Sequence, residues 1–202
     1  MISEYDTHLV VLRHGQTDWN FERRFQGHAD VPLNDVGRQQ ALDVRPLLAG
    51  YHFDAVYSST ASRALETARI VRPTTSIRQD ARLMEINVGS WAGKTHVDVI
   101  AEMPEYPQLY ANGIDFRRSS TGETLAEMVE RGLPAFEEIA AAHEGGSVLI
   151  VSHGLFLNRV VHALLGVPGR VLGGFGNARF SELGYAHGAW RLLAHNVGVR
   201  SA

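Results

Sequence analysis

The chain has 202 residues, 45% hydrophobic and 20% charged, enough to bury one core without a disulfide or metal to hold it. Its net charge of −3, from 19 basic and 22 acidic side chains, offers no overall field to draw nucleic acid or an anionic membrane surface. Cysteine is absent, which excludes disulfides, thiolate metal sites and a cysteine nucleophile.

In chain order, His8–Val11 with Leu12 form an apolar run that stops at Arg13-His14-Gly15, the pattern of a buried strand. After a long loop, Asn34 is placed to cap a helix carrying Ala41, Val44 and Leu48 at helical spacing. Phe53–Tyr57 reads as a second strand, ending at Ser58-Ser59-Thr60. Ala61, Ala64, Leu65, Ala68 and Val71 then mark one face of a helix that Pro73 stops, and Ser76-Ile77-Arg78 reads as a short third strand. From Asn87 to about Gly122 the periodicity dissolves, and this stretch is expected to be an irregular excursion over one edge of the sheet, a lid or wall. Leu125, Met128, Val129, Phe136 and Ile139 mark a helix expected to bend near Pro134. Ser147–Val151 is a strong strand, and the helix after it carries Leu157, Val160, Val161 and Leu164 and ends at Gly166. Ala189–Leu193 is the last expected strand.

Strands alternating with amphipathic helices predict an α/β fold, with three α/β/α layers around a mainly parallel sheet. No repeat or linker divides the chain, so residues 1–202 are expected to be a single domain. No run reaches the ~18 apolar residues of a membrane span, and the polar, acidic Met1–Asp6 lacks a signal-peptide pattern, so the expected location is the cytoplasm.

Two strands end alike, in Leu12-Arg13-His14-Gly15 and Val151-Ser152-His153-Gly154. An open α/β sheet binds ligands beyond the carboxyl ends of its strands, where both His-Gly pairs project. His153 also opens a helix, whose free N–H groups favour an anion. Arg63, on the first turn of the Ala61–Val71 helix, flanks the same edge, and Arg13 sits beside His14. Taken alone, a histidine after a strand is an ordinary polar residue and Arg63 a solvated charge, the more so because Lys94 is the only lysine and arginine carries nearly all the positive charge. Their convergence on one edge is what points to a tetrahedral dianion. Other chemistries lack their signatures: there is no Gly-x-x-x-x-Gly-Lys loop, no Gly-x-Ser-x-Gly elbow and no His-Glu-x-x-His pair.

The block Leu12-Arg13-His14-Gly15-Gln16-Thr17-Asp18-Trp19-Asn20 resembles the signature of the histidine phosphatase (phosphoglycerate mutase-like) superfamily. Further blocks follow in family order: Gln26-Gly27 with Asp30, Pro32-Leu33, Gly37 and Gln40-Ala41; Ser58-Ser59 to Arg63-Ala64 with Thr67-Ala68; Glu85 with Gly89 and Trp91-Ala92-Gly93; and Ser152-His153-Gly154. The resemblance implies catalytic roles for five residues. His14 is the nucleophile that takes the phosphoryl group, Glu85 is the acid and then the base, and Arg13, Arg63 and His153 hold the phosphoryl oxygens. It adds Asn20, Gln26, Gly27 and Gly154 as phosphate or substrate contacts, and His28 is a further candidate in the same loop. Because arginines supply the positive charge, no metal and no cofactor is expected. The expected partner is a small phosphate ester, with no nucleic acid or membrane; relatives are commonly dimers, which leaves a homodimer open.

The excursion is too compact for the longer insertion of cofactor-dependent mutases, which favours hydrolysis, with a mutase or a non-catalytic phosphate-binding regulatory relative as alternatives. Two positions depart from the family pattern: Met84 precedes Glu85 where relatives often carry Arg, and Thr121-Gly122-Glu123-Thr124 replaces Gly-Gly-Glu-Ser. The stretch Gly173 to Ala178, with Trp190-Arg191-Leu192 and Asn196, is similar to the C-terminal part of actinobacterial glucosyl-3-phosphoglycerate phosphatases. A sugar or glycerate phosphate is the expected substrate; Arg117-Arg118 are a candidate contact for its anionic tail, set against the more ordinary reading of two solvated charges.

Overall fold

A computed structural model describes residues 5–199. Its sheet has the order β3-β2-β4-β1-β5-β6, from β1 (Thr7–Arg13), β2 (Ala55–Ser58), β3 (Ile77–Gln79), β4 (Ser147–Ser152), β5 (Phe180–Ala186) and β6 (Ala189–Val197). The first four strands pair in parallel, and β5 runs antiparallel to both its neighbours. β1 and β4 lie at the centre in register from His8 with Ser147 to Arg13 with Ser152, so their carboxyl ends finish level.

Both central strands are apolar on both faces, which is why they read as continuous runs. Leu9 and Val11 of β1, with Val148 and Ile150 of β4, enter one core; Val10, Leu12, Leu149 and Val151 enter the other. The second core is closed by α2 (Asp35–Val44) and α3 (Ser62–Val71), which contribute Val44, Ala64, Ala68 and Val71. The first is closed by α6 (Leu125–Ala142) and α7 (Gly154–Leu165), through Met128, Phe136, Phe156 and Val160. Thr124 starts α6 with a reciprocal cap: its hydroxyl accepts the Glu127 amide while Glu127 accepts its own. The helix then continues unbroken through Pro134.

The irregular stretch holds a 3-10 turn at Gly89–Trp91, α4 (His96–Glu102) and α5 (Tyr106–Asn112). It is anchored by aromatic packing: Trp91, Tyr106 and Phe116 meet with ring centroids 5.8–6.3 Å apart. The short α1 (Asp18–Phe21), within what the sequence presented as loop, is held by Thr17 and Asn20 bonding each other's backbone.

The strand β5 is not among the sequence expectations. Its segment Phe180-Ser181-Glu182-Leu183-Gly184-Tyr185-Ala186 breaks every apolar run, because the fold uses its polar positions. Ser181 bonds His195 at 2.9 Å, and Glu182 accepts from the Tyr51 hydroxyl at 2.6 Å. Among the described residues, no helix is long and apolar enough to cross a membrane.

Candidate active site

The level ends of β1 and β4 bring the two His-Gly pairs together. The His14 amide donates to the Ser152 carbonyl at 2.9 Å, tying one strand end to the other. The His14 and His153 rings, both buried, meet edge to face with centroids 5.2 Å apart. Close backbone packing allows this turn. A Cβ on Gly15 would stand 2.3 Å from the Gly37 carbonyl oxygen, so the loop lies directly on the start of α2. The Gly15 amide donates to Thr67 Oγ1 at 3.1 Å, fastening the loop to α3.

His14 is held in one tautomer. Its Nδ1 donates to the Gly15 carbonyl at 2.6 Å, which leaves Nε2 with the lone pair. Burial, and then the charges of Arg63 and Arg13, push the His14 pKa well below its ordinary value, against the Gly15 hydrogen bond. His153 is driven the same way by burial first, then by Arg63, His14 and Arg13. His153 Nε2 bonds Ser59 Oγ at 2.8 Å, and its Nδ1 is buried with no partner.

Two guanidiniums border the rings without a carboxylate in ion-pair contact among the described residues. Arg63, almost wholly buried, donates to the Gly27 and Ala29 carbonyls, each at 2.8 Å. Arg13 donates to the Phe175 carbonyl at 2.6 Å. The Nε of each is buried and unpaired. Burial opposes both charges and Glu85 favours both. Charges this costly to bury persist where an anion is to be met.

Glu85 lies across the cleft at the start of α7. Its carboxylate accepts the amides of Phe156 at 2.9 Å, Leu155 at 3.1 Å and Ile86 at 3.0 Å, so the helix's free N–H groups hold an acid. Its carbonyl accepts Arg131 Nη2 at 2.7 Å and His28 Nε2 at 2.8 Å. His28 therefore steadies the backbone under Glu85. Met84 turns its sulfur to Ser59 Oγ, 3.1 Å away.

The remaining expected contacts line the same cleft of 630 Å³: Asn20, Gln26, Gly27 and Gly154. Asn20 Oδ1 accepts the Thr17 amide and Asn177 Nδ2, and Gln26 Oε1 accepts Thr17 Oγ1 at 3.0 Å. With their oxygens engaged, the amide NH₂ groups of both side chains are left as donors. Gly27 has φ +52°, and a Cβ there would lie 2.7 Å from Val88 Cγ2. A Cβ on Gly154 would stand 3.0 Å from Arg13 Nε.

The arginine pair of the excursion is held by internal partners, neither at the cleft nor simply solvated. Arg117 donates to the Gly122 carbonyl at 2.6 Å and pairs with Glu127 at the head of α6. Arg118 is buried against the Phe116 ring and paired with Asp115. Neither lines the cleft. Three participants went unread as such in the sequence. The Asn177 amide bonds the His14 carbonyl at 3.2 Å, Ser59 bonds His153, and the Phe175 carbonyl holds Arg13. Asn177 and Phe175 fall inside the glycine-rich stretch from Gly173, which the sequence marks by its similarity to relatives and not by a role for either residue.

Residues 9–198 match the histidine phosphatase superfamily (branch 1). A glucosyl-3-phosphoglycerate phosphatase of Mycolicibacterium vanbaalenii is 33% identical, over 96% of this chain and 96% of that one. The phosphoglycerate mutase-like protein 4 of Arabidopsis thaliana is 37% identical, over 72% of this chain and 66% of its own length. Among solved structures, a mycobacterial glucosyl-3-phosphoglycerate phosphatase in complex with VO3 is similar with a TM-score of 0.83 at 32% identity, covering 95% of this chain and 99% of that one. A phosphoserine phosphatase of Entamoeba histolytica in complex with 3-phosphoglyceric acid gives a TM-score of 0.82 at 27% identity, covering 93% and 95%. With the family matched along nearly the whole chain, the protein is a histidine phosphatase, a member of branch 1 of that superfamily.

Proposed function

We propose that this phosphatase hydrolyses phosphomonoesters of small metabolites, a sugar or glycerate phosphate, through a phosphohistidine at His14 and without a metal ion. The phosphoryl oxygens sit among Arg13, Arg63, His153 and the amides of Asn20 and Gln26. His14 Nε2 attacks phosphorus, the ester P–O bond breaks, and the leaving oxygen takes the proton of the Glu85 carboxyl. Water then attacks the phosphohistidine. Glu85 takes its proton, the P–N bond breaks, and inorganic phosphate leaves.

The orientation of His14 is the observation that carries this reading. A ring fixed through Nδ1, neutral, and flanked by two guanidiniums whose Nε atoms lack partners presents Nε2 to an anion and needs no further activation. Phosphoryl transfer chiefly demands such positioning and charge stabilisation, and a placed proton donor adds about 10²–10⁴-fold. His153 contributes through its free Nδ1. Ser59 Oγ–H can turn from Met84 to His153 Nε2, which puts the imidazole proton on Nδ1, facing the phosphoryl group. The 87–122 segment serves as a wall of the cleft, supplying Val88, His96 and Tyr110 to its lining.

The test is p-nitrophenyl phosphate turnover in excess EDTA, with acid- and base-quenched detection of phosphoenzyme. Turnover indifferent to chelator, with an acid-labile and base-stable phosphoenzyme that His14→Ala lacks, is the expected result. Tight phosphate binding without turnover points instead to a regulatory binding protein. Interconversion of phosphoglycerates dependent on a bisphosphate points to a mutase.

A further inference from the structure

The cleft reaches well beyond the phosphoryl pocket, and its outer part carries a positive charge with no assigned task. Among the described residues, Glu85 is the one carboxylate lining the cleft, against Arg13, Arg24, Arg63 and Arg159. Arg13 and Arg63 face the histidines. Arg24 is engaged by Glu22 at 2.5 Å and by the Gly93 carbonyl at 2.8 Å. Arg159 differs: among the described residues it has no ion-pair partner, its Nε is buried without a hydrogen bond, and Nη1 donates to the Gly169 carbonyl at 2.6 Å. Arg170 opposes its charge and Asp115 favours it, but the Asp115 oxygens already hold Arg118 and the Leu125 and Ala126 amides.

Resting on the phosphatase reading, we infer that Arg159 binds a carboxylate of the substrate, so that the preferred substrates are phosphomonoesters with a carboxylate a few bonds from the ester oxygen. Arg159 lies five residues beyond Gly154 on α7, about 7.5 Å of helical rise. A three-carbon phosphorylated acid reaches across that span toward a guanidinium. Of the two arginines lining this end, Arg24 is paired and Arg159 is not, which suits a monoanion, whereas the inner end offers two guanidiniums to a dianion. The site is shaped for the purpose, since Gly169 lets the loop approach closely: a Cβ there would stand 2.0 Å from Arg159 Nη1. Tyr110 and Leu172 complete the outer lining. Arg159 touches none of the reacting atoms, so its role is substrate selection.

Steady-state kinetics on 3-phosphoglycerate, glycerol 3-phosphate and p-nitrophenyl phosphate test this. The unmodified enzyme is expected to favour 3-phosphoglycerate over glycerol 3-phosphate. Arg159→Gln raises KM for 3-phosphoglycerate about 10- to 100-fold, the worth of one charge-assisted contact, with kcat and both other esters nearly unchanged. Arg159→Lys recovers part of the loss. Binding of 3-phosphoglycerate and glycerol 3-phosphate to His14→Ala, with and without Arg159→Gln, gives a readout that needs no turnover. Equal losses on all three esters would mean that Arg159 only supports the Gly169 loop, and no selective loss would equally overturn the inference. A larger loss on a diol bisphosphate than on 3-phosphoglycerate would make the bound group a second phosphate and overturn the carboxylate assignment. If no ester is turned over, the phosphatase reading falls while the binding comparison still decides Arg159.

Discussion

His14 and Gly15 are joined by more than the peptide bond: the imidazole Nδ1 donates to the Gly15 carbonyl 2.6 Å away, while burial and two arginines keep the ring neutral. That neutrality has a thermodynamic consequence. His14 and His153 both titrate well below the ordinary histidine value in the folded protein, whereas in the unfolded chain they take protons near pH 6.5. Between those values the unfolded state binds more protons, so stability falls as pH falls. The loss begins near pH 6.5 and continues down to the folded-state pKa values, and above pH 6.5 the two rings cost nothing. Each contributes a slope of up to about 1.4 kcal/mol per pH unit. Urea unfolding between pH 5 and 7.5 should show this slope, reduced in His153→Gln. An unchanged slope in that variant would mean that His153 is not held neutral.

Glu85 is held by three amides and lines the cleft, and the proposed mechanism has it protonate the departing ester oxygen. If it delivers the proton, its removal matters in proportion to how poorly the alcohol leaves. Glu85→Gln keeps an oxygen for the α7 amides but has no proton to give. Its kcat/KM on glycerol 3-phosphate should fall by about 10²–10⁴-fold, and by much less on p-nitrophenyl phosphate, whose phenolate needs little help. Equal losses on both esters would assign Glu85 a binding role.

The parts of this site legible in the sequence are those encoded locally. Arg13-His14-Gly15 and Ser152-His153-Gly154 each follow an apolar run, and β1 and β4 pair in register, so the two histidines had to meet. Arg63 follows from the face that α3 buries, since Ala64 and Ala68 fix the helix's rotation. Glu85 is different: no periodicity surrounds it, and only its resemblance to the family marked it. Asn177 and Phe175 act through backbone and amide contacts from a glycine-rich turn, which leaves no trace in residue type. Arg117 and Arg118 were ambiguous because charge says nothing of pairing; Glu127 and Asp115, 10 and 3 positions away, satisfy them. The strand β5 was hidden because its Ser181 and Glu182 are polar for the sake of His195 and Tyr51, partners that only the folded chain supplies.

Arg63 uses both terminal nitrogens on the Gly27 and Ala29 carbonyls, so it joins the phosphate pocket to the Gln26-Gly27 loop. A lysine cannot reproduce that fork with its single ammonium. Arg63→Lys should therefore behave much like Arg63→Met, each raising the inhibition constant for inorganic phosphate about 10-fold or more. Competitive inhibition at constant ionic strength measures this, and full recovery by lysine would show that charge alone matters at this position.

Gly37, which is not among the residues lining the cleft, should prove as sensitive as one that is. An added Cβ would lie 2.0 Å from the Gln16 carbonyl oxygen and 2.6 Å from its amide nitrogen, both backbone atoms of the loop that turns His14 into place. Neither can move without shifting that loop. Gly37→Ala gains helix propensity in α2, worth about 1 kcal/mol, yet the forced separation costs about 1–3 kcal/mol or more. The melting temperature should fall by about 2–4 °C for each net kcal/mol. Turnover should fall as well, because the displaced loop carries the Gly15 carbonyl that orients His14. Gly50→Ala is the control, since a Cβ there meets nothing within 4 Å. Equal tolerance of both substitutions would show that the Gly15–Gln16 backbone does not rest on α2 as closely as described.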